Sequence, residues 1–232
     1  MVGKEKNKLL REEFIMTEKV IAIVGMGGGV SLGTALKFGK ENFIVAMIGR
    51  NGTKLRDYKD ILETHGIRSE FYIGNAADEY SLKDALRRIQ EELGTPDVLF
   101  YNVANIKKLN LLDETTDSML YDFKMNVIGA VISAQEVIPG MKKRGTGCIL
   151  LTGGGYSMYP DPNSGSLGIG KAGIRNFSMS LSKAVEGTGI VVGTVTICGI
   201  VNATNPVHNP DNIGAKFFEI YTTGKNGTEI IL

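Results

Sequence analysis

The feature that most restricts the folds open to this chain is a strict alternation of two apolar patterns. Short runs rich in β-branched residues stand at 20–24, 43–48, 71–73, 98–101, 148–152, 190–197 and 230–232, and each reads as a buried strand. Between them, apolar residues recur at helical spacing over 32–40, 53–64, 80–93, 116–143, 167–185 and 212–222. A strand that is apolar on both faces needs cover on both. Right-handed βαβ crossovers supply that cover by laying helices on either side of a parallel sheet. The expected fold is therefore α/β: a doubly wound, Rossmann-like parallel sheet of about seven strands with helices on both faces. Helix punctuation agrees, with His65-Gly66 and Gly94 as C-terminal stops and Asp78 and Asp117 as N-caps or first-turn acids.

With no Pro- or Gly-rich linker, residues 16–232 form one expected domain, large enough to bury its own core. Residues 1–15 are rich in Lys and Glu and read as a poorly ordered extension before Met16. Lys and Arg (26) nearly balance Asp and Glu (25), so neither nucleic acid nor an anionic membrane is an expected partner. No apolar run has the length of a membrane span and no secretory core opens the chain, which points to the cytoplasm. Cys148 and Cys198, both in strand-like runs, are expected as buried free thiols in a reducing compartment. His65 and His208 lack ligand-like spacing, and no metal site is expected.

The first strand runs directly into Gly25-Met26-Gly27-Gly28-Gly29-Val30-Ser31-Leu32-Gly33, and a helix follows. At such a turn, residues without Cβ let backbone N–H groups approach a pyrophosphate, and the helix N-terminus adds further donors and a positive dipole end. The backbone of Gly25, Gly27, Gly28, Gly29, Val30 and Ser31 is therefore a candidate dinucleotide cradle. Its spacing differs from the common Gly-x-Gly-x-x-Gly form.

This turn resembles that of the short-chain dehydrogenases/reductases, Thr-Gly-x-x-x-Gly-x-Gly. Val24 stands at the Thr, Gly25 and Gly29 at the first two glycines, and Ser31 at the third, where its hydroxyl is expected to face a phosphate. Further landmarks are similar. The fourth strand ends Tyr101-Asn102-Val103-Ala104 where the family has Asn-Asn-Ala-Gly beside the adenosine ribose. Asn126-Val127-Ile128-Gly129 matches an Asn-x-x-Gly segment whose Asn, through a water, holds the active-site lysine. That lysine is Lys171. The resemblance implies a tyrosine four residues before it and a serine thirteen before that tyrosine, but this chain has Leu167 and Gly154 there. Asn126 and Lys171 remain of the usual four.

In the family the tyrosine gives the proton that a reduced carbonyl needs, and a positioned acid contributes about 10²–10⁴ in rate. Tyr156, two residues beyond Gly154, is the first candidate substitute. Lys171 is further expected to hold the nicotinamide ribose. The second strand ends Gly49-Arg50, with glycine in the place of the acid that accepts from an NAD ribose and an arginine suited to a 2′-phosphate. NADP(H) is therefore favoured over NAD(H). Asn75 stands beside the expected adenine. Thr204 lies one place beyond Ala203, where the family's Thr touches the nicotinamide carboxamide. The segment 205–210, where the family has a substrate lid, is short. Two readings follow: an NADP(H)-dependent oxidoreductase of a small molecule with a divergent active site, or a catalytically silent dinucleotide-binding sensor or assembly subunit. By analogy with the family, whose long helices pair across a two-fold, a homodimer or homotetramer is expected.

Overall fold

The computed structural model describes residues 18–232, so the extension expected at 1–15 lies outside the described residues. Seven strands form one sheet: β1 (Lys19–Val24), β2 (Phe43–Gly49), β3 (Ser69–Ile73), β4 (Val98–Tyr101), β5 (Gly147–Gly154), β6 (Ile190–Ile197) and β7 (Thr228–Ile231). The helices between them are α1 (Val30–Lys40), α2 (Gly52–Thr64), α3 (Glu79–Leu93), α4 (Thr116–Phe123), α5 (Gly129–Arg144), α6 (Gly165–Ala184) and α7 (Pro210–Thr223). The strand order is β3-β2-β1-β4-β5-β6-β7, and every neighbouring pair is parallel.

The central strands explain the sandwich. In β1, Ile21 and Ile23 pack on one side with Phe38 of α1, Leu62 of α2 and Phe217 of α7. Their neighbours Ala22 and Val24 pack on the other with Leu86 of α3, Val137 of α5 and Ile174 of α6. Period-two alternation thus feeds two cores at once. Among the described residues no helix is long and apolar enough to cross a membrane.

The chain leaves β1 toward β2 on one side and returns through β4 on the other. This order reversal opens a crevice at the carboxyl ends of β1 and β4, which is where ligands bind in such sheets.

Two expectations are corrected. The helix expected over 116–143 contains a π-helical turn, Lys124–Ile128, between α4 and α5. Cys198 lies one residue beyond β6 and is exposed, while Cys148 is buried in β5 as expected. Its apolar neighbours end the strand rather than enclose it.

Candidate active site

The crevice is built first by backbone. Gly25 has a φ of +88°, and a Cβ there would lie 2.7 Å from Val103 Cγ2 and 2.9 Å from the Asn102 carbonyl oxygen, so only glycine makes this turn cleanly. Its N–H and that of Met26 both donate to the Ile48 carbonyl. A Cβ on Gly27 would meet nothing within 4 Å, and one on Gly29 would just reach Val201 at 4.0 Å. Among the described residues, no side chain caps the N-terminus of α1 at Gly29. The turn therefore offers main-chain donors to an open space.

Ser31 corrects the expectation made for it. It is fully buried; its hydroxyl donates to the Gly25 carbonyl at 2.8 Å and accepts from Asn102 Nδ2 at 2.7 Å. Instead of facing a phosphate it ties the glycine turn, the first turn of α1 and the end of β4 together. Asn102 N–H completes the tie by donating to the Val24 carbonyl at 2.9 Å.

One groove is lined by Gly25, Arg50, Asn75, Asn102 and Ala104, which brings together five of the expected cofactor residues. A second groove continues from it past Arg50, Asn51, Lys54 and Tyr58. A Cβ on Gly49 would sit 3.3 Å from Leu55 Cδ2, so the place of an acidic side chain is already crowded. Arg50 donates to the Tyr121 hydroxyl at 3.3 Å, a neutral partner. Asn51 caps α2 by accepting from Lys54 N–H at 3.1 Å. Asn75 uses its Oδ1 to accept from Ala77 N–H, leaving the amide NH₂ for any partner in the groove.

The other end of the crevice lies over β4, β5 and β6. Lys171 on α6 donates to the Thr152 carbonyl at 2.7 Å, and burial lowers its pKa to about 8. Its stem crosses Gly154: a Cβ there would lie 3.2–3.3 Å from Lys171 Cγ, Cδ and Cε. A side chain at 154 would therefore rest on the lysine stem, which would have to give by only a few tenths of an ångström. Leu167, one helical turn before it, is buried.

Asn126 sits in the π-helical turn and accepts from Asn105 N–H at 3.0 Å. It packs closely enough on α6 that a Cβ on Gly170 would lie 2.7 Å from its Nδ2. Among the described residues, Asn126 Nδ2 and Thr152 Oγ1 are buried without a partner. Tyr156 lies in a short 3₁₀ turn, Gly155–Ser157, with its main chain against Gly168. Thr204 is exposed, with its N–H and hydroxyl both donating to Asn202 Oδ1.

Two arrangements escaped the sequence reading. First, the fully buried Tyr101 donates to the Met125 carbonyl in the π-helical turn, where the helical ladder is interrupted. Gly129 is the residue that makes room for that hydroxyl. Second, Lys107 contacts Glu114 and lies 2.6 Å from Asp122 Oδ2, and both carboxylate side chains are 1% exposed. Asp122 also accepts from Asn105 Nδ2 at 2.7 Å and from the Ser166 hydroxyl at 2.7 Å. Burial opposes its charge, but these three donors hold its carboxyl below the usual carboxylate range. The cluster fastens the loop after β4 to α4 and α6, and through Asn105 to Asn126. The Asn-rich, Lys-containing run 102–110 was the one hint of it in the sequence.

Residues 19–212 match the family model described as short chain dehydrogenase. A short chain dehydrogenase of Pseudocercospora fijiensis is 26% identical over 176 residues, covering 75% of this chain and 57% of that protein. The chain thus spans little more than half of that relative's length. An acetoacetyl-CoA reductase of Cupriavidus necator is 25% identical over 182 residues, 78% of this chain and 74% of the relative. An uncharacterized oxidoreductase of Staphylococcus aureus is 19% identical and covers 84% of each chain. In shape, the crystal structure of gox2181 superposes with a TM-score of 0.85 over 96% of each chain at 16% identity, a likeness of fold.

Proposed function

Because the chain belongs to the short chain dehydrogenase family, we propose that it is an oxidoreductase dependent on NADP(H) rather than NAD(H), acting on a small molecule at a divergent reaction centre. The observation that carries this reading is the end of β2. There Gly49 leaves no acid, and Arg50 and Lys54 line one continuous groove with no carboxylate among its lining residues. Two cations on a groove edge suit the extra phosphate of NADP(H).

The residues fit such a cofactor. The open glycine turn and the uncapped N-terminus of α1 would hold the pyrophosphate. Asn75, Asn102 and Ala104, which line the groove, would meet the adenine and its ribose. Lys171 would hold the nicotinamide ribose, Asn126 would steady it through a water, and Thr204 would meet the carboxamide. When bound, the nicotinamide supplies hydride transfer. Tyr156 is the proposed proton donor in place of the missing tyrosine. A protein with two free thiols and no membrane-spanning helix among its described residues fits the cytoplasm. The exposed Leu120, Phe123, Ile169 and Met179 on α4 and α6 fit a homodimer or homotetramer formed through those helices.

A specific observation favours a second reading, a silent dinucleotide-binding sensor or assembly subunit. Leu167 and Gly154 stand at the two positions from which hydroxyls would act, and neither carries one. Turnover against a panel of ketones and enones separates the two.

Calorimetric titration tests the cofactor. NADPH is expected to bind more tightly than NADH. Arg50→Ala is expected to weaken NADPH by roughly 10–100-fold, the worth of a charge-assisted hydrogen bond, and to leave NADH nearly unchanged. Equal affinities in the wild type would reject the NADP(H) preference. Absence of heat with either nucleotide at millimolar levels would reject the cofactor itself.

A further inference from the structure

Three loops leave the carboxyl edge of adjacent strands and surround the reaction end of the crevice: 102–115 after β4, 155–164 after β5 and 198–209 after β6. They form one rim. Leu109 N–H donates to the Asn163 carbonyl at 3.0 Å and Leu111 N–H to the Pro162 carbonyl at 2.8 Å, pairing the first two. The second meets the third where a Cβ on Gly155 would lie 3.1 Å from Cys198 Cα.

The rim presents large apolar side chains to solvent: Leu112 is 92% exposed, Ile200 83%, Ile106 81% and Tyr159 70%. Single exposed apolar residues are ordinary, but several along one rim mark a binding surface. The backbone that carries the first loop is fastened by the Lys107–Asp122–Glu114 cluster, so these side chains do not belong to a loose tip.

Charge points the same way. The loop 198–209 contains no Asp, Glu, Lys or Arg, and 155–164 contains only Asp161. In 102–115, Lys107 and Glu114 are turned to each other, which leaves Lys108 and Asp113 with opposite signs. The nucleotide end, by contrast, carries Arg50 and Lys54 on one groove. Phosphates and carboxylates have two cations to meet on the groove at one end of the crevice; the rim loops at the other carry none in surplus, and Lys171 below them is engaged by the Thr152 carbonyl.

We infer that the substrate is a neutral carbonyl compound with an extended apolar body, which lies across this rim, and not a phosphorylated or coenzyme A-linked acid. The inference rests on the oxidoreductase reading, and its test keeps the two apart. Full-length protein saturated with NADP⁺, which cannot reduce a ketone, is titrated with 2-decanone and, separately, with acetoacetyl-CoA. The comparison is with Ile200→Asp and Leu112→Asp, both at exposed positions whose change leaves the core intact.

2-Decanone is expected to bind the wild type with a negative heat-capacity change and at least about tenfold more weakly in each variant, while NADP⁺ affinity stays unchanged. Acetoacetyl-CoA is expected to give no saturable heat. Saturable binding of acetoacetyl-CoA, no binding of 2-decanone, or equal binding of 2-decanone by wild type and variants overturns the inference. So does sedimentation showing a dimer that both variants dissociate, since the rim would then be covered by a second copy. If NADP⁺ itself fails to bind, the cofactor reading falls, and the 2-decanone titration of the unloaded protein still decides the rim.

Discussion

The two ends of the crevice make different demands on side chains. At the β1–β2 end the groups proposed to bind are backbone amides in a turn with a left-handed Gly25, placed at the start of α1. Val24 and Ser31 depart from the family pattern there, and the turn keeps its shape. Ser31 even becomes part of the scaffold through Gly25 and Asn102. At the β4–β6 end the chemistry proposed would need side-chain hydroxyls beside the Lys171 ammonium. Leu167 and Gly154 stand there without hydroxyls, and the Lys171 stem lies against Gly154. Recognition by main chain survives substitution as long as the path of the chain survives. Proton chemistry does not, because a missing hydroxyl has no backbone counterpart.

Refilling the depleted end should have the largest effect. A tyrosine at 167 stands four residues, one helical turn, before Lys171, and a serine at 154 stands on the facing strand end. The double variant Gly154→Ser, Leu167→Tyr is expected to raise the rate of carbonyl reduction by about 10²–10⁴-fold, the usual contribution of a positioned acid. Its NADPH affinity should not change. Adding Tyr156→Phe should slow the original chain and leave the refilled variant untouched. Steady-state rates on a ketone panel measure both arms. A refilled variant no faster than its parent would mean that the loss of hydroxyls is not what separates the two ends.

Legibility in the sequence divides along the same line. The strands were readable because apolar runs such as 20–24 and 190–197 are buried on both faces, and burial on both faces has a one-dimensional signature. The glycine turn was readable because its constraint is local. Cys198 was misplaced because an apolar run does not show where its last residue leaves the sheet. Ser31 was misassigned because its partners, Gly25 and Asn102, include one 71 residues away. The π-helical turn left the helical spacing of 116–143 intact to the eye, and its stabilising partner, Tyr101, lies on a different element. The Lys107 cluster draws on residues 15 and 44 positions apart along the chain, Lys107 to Asp122 and Asp122 to Ser166, so no window contains it.

That cluster offers the second test, because it anchors only the reaction end. Lys107→Met leaves Glu114 and Asp122, both almost wholly buried, without their cation. Removing one member of a buried ion pair costs about 3–5 kcal/mol. Chemical denaturation at pH 7 should show a loss of that order. Hydrogen exchange should speed up in 102–115 and stay unchanged in 25–31. Uniform acceleration across both segments would show that the two ends are mechanically one unit.

The smallest effect expected comes from charge. Lys171 is the ammonium at the reaction end, and burial lowers its pKa from 10.5 to about 8. A lowered lysine pKa means that the folded state gives up the proton more readily than the unfolded chain. Below pH 8 both states hold it, and the folded state bears the full penalty of a desolvated charge. Between about pH 8 and 10.5 the unfolded chain binds more protons, so this group makes stability rise with pH until both states are neutral. Lys171→Met removes the penalty while keeping the stem that covers Gly154. It should therefore be more stable than the parent by roughly 3 kcal/mol at pH 7, and the gain should fade as pH climbs through that window. Paired denaturation curves at pH 7 and pH 10 read the difference directly, since the other titrating groups are common to both proteins. NADPH affinity should fall in the same variant through loss of the ribose contact. A site kept for ligand binding would thus be seen to hold its ammonium against the stability of the fold. A variant less stable at pH 7 would instead make the Lys171 bond to the Thr152 carbonyl a structural tie, and the reaction end would no longer differ from the nucleotide end in carrying strain for function.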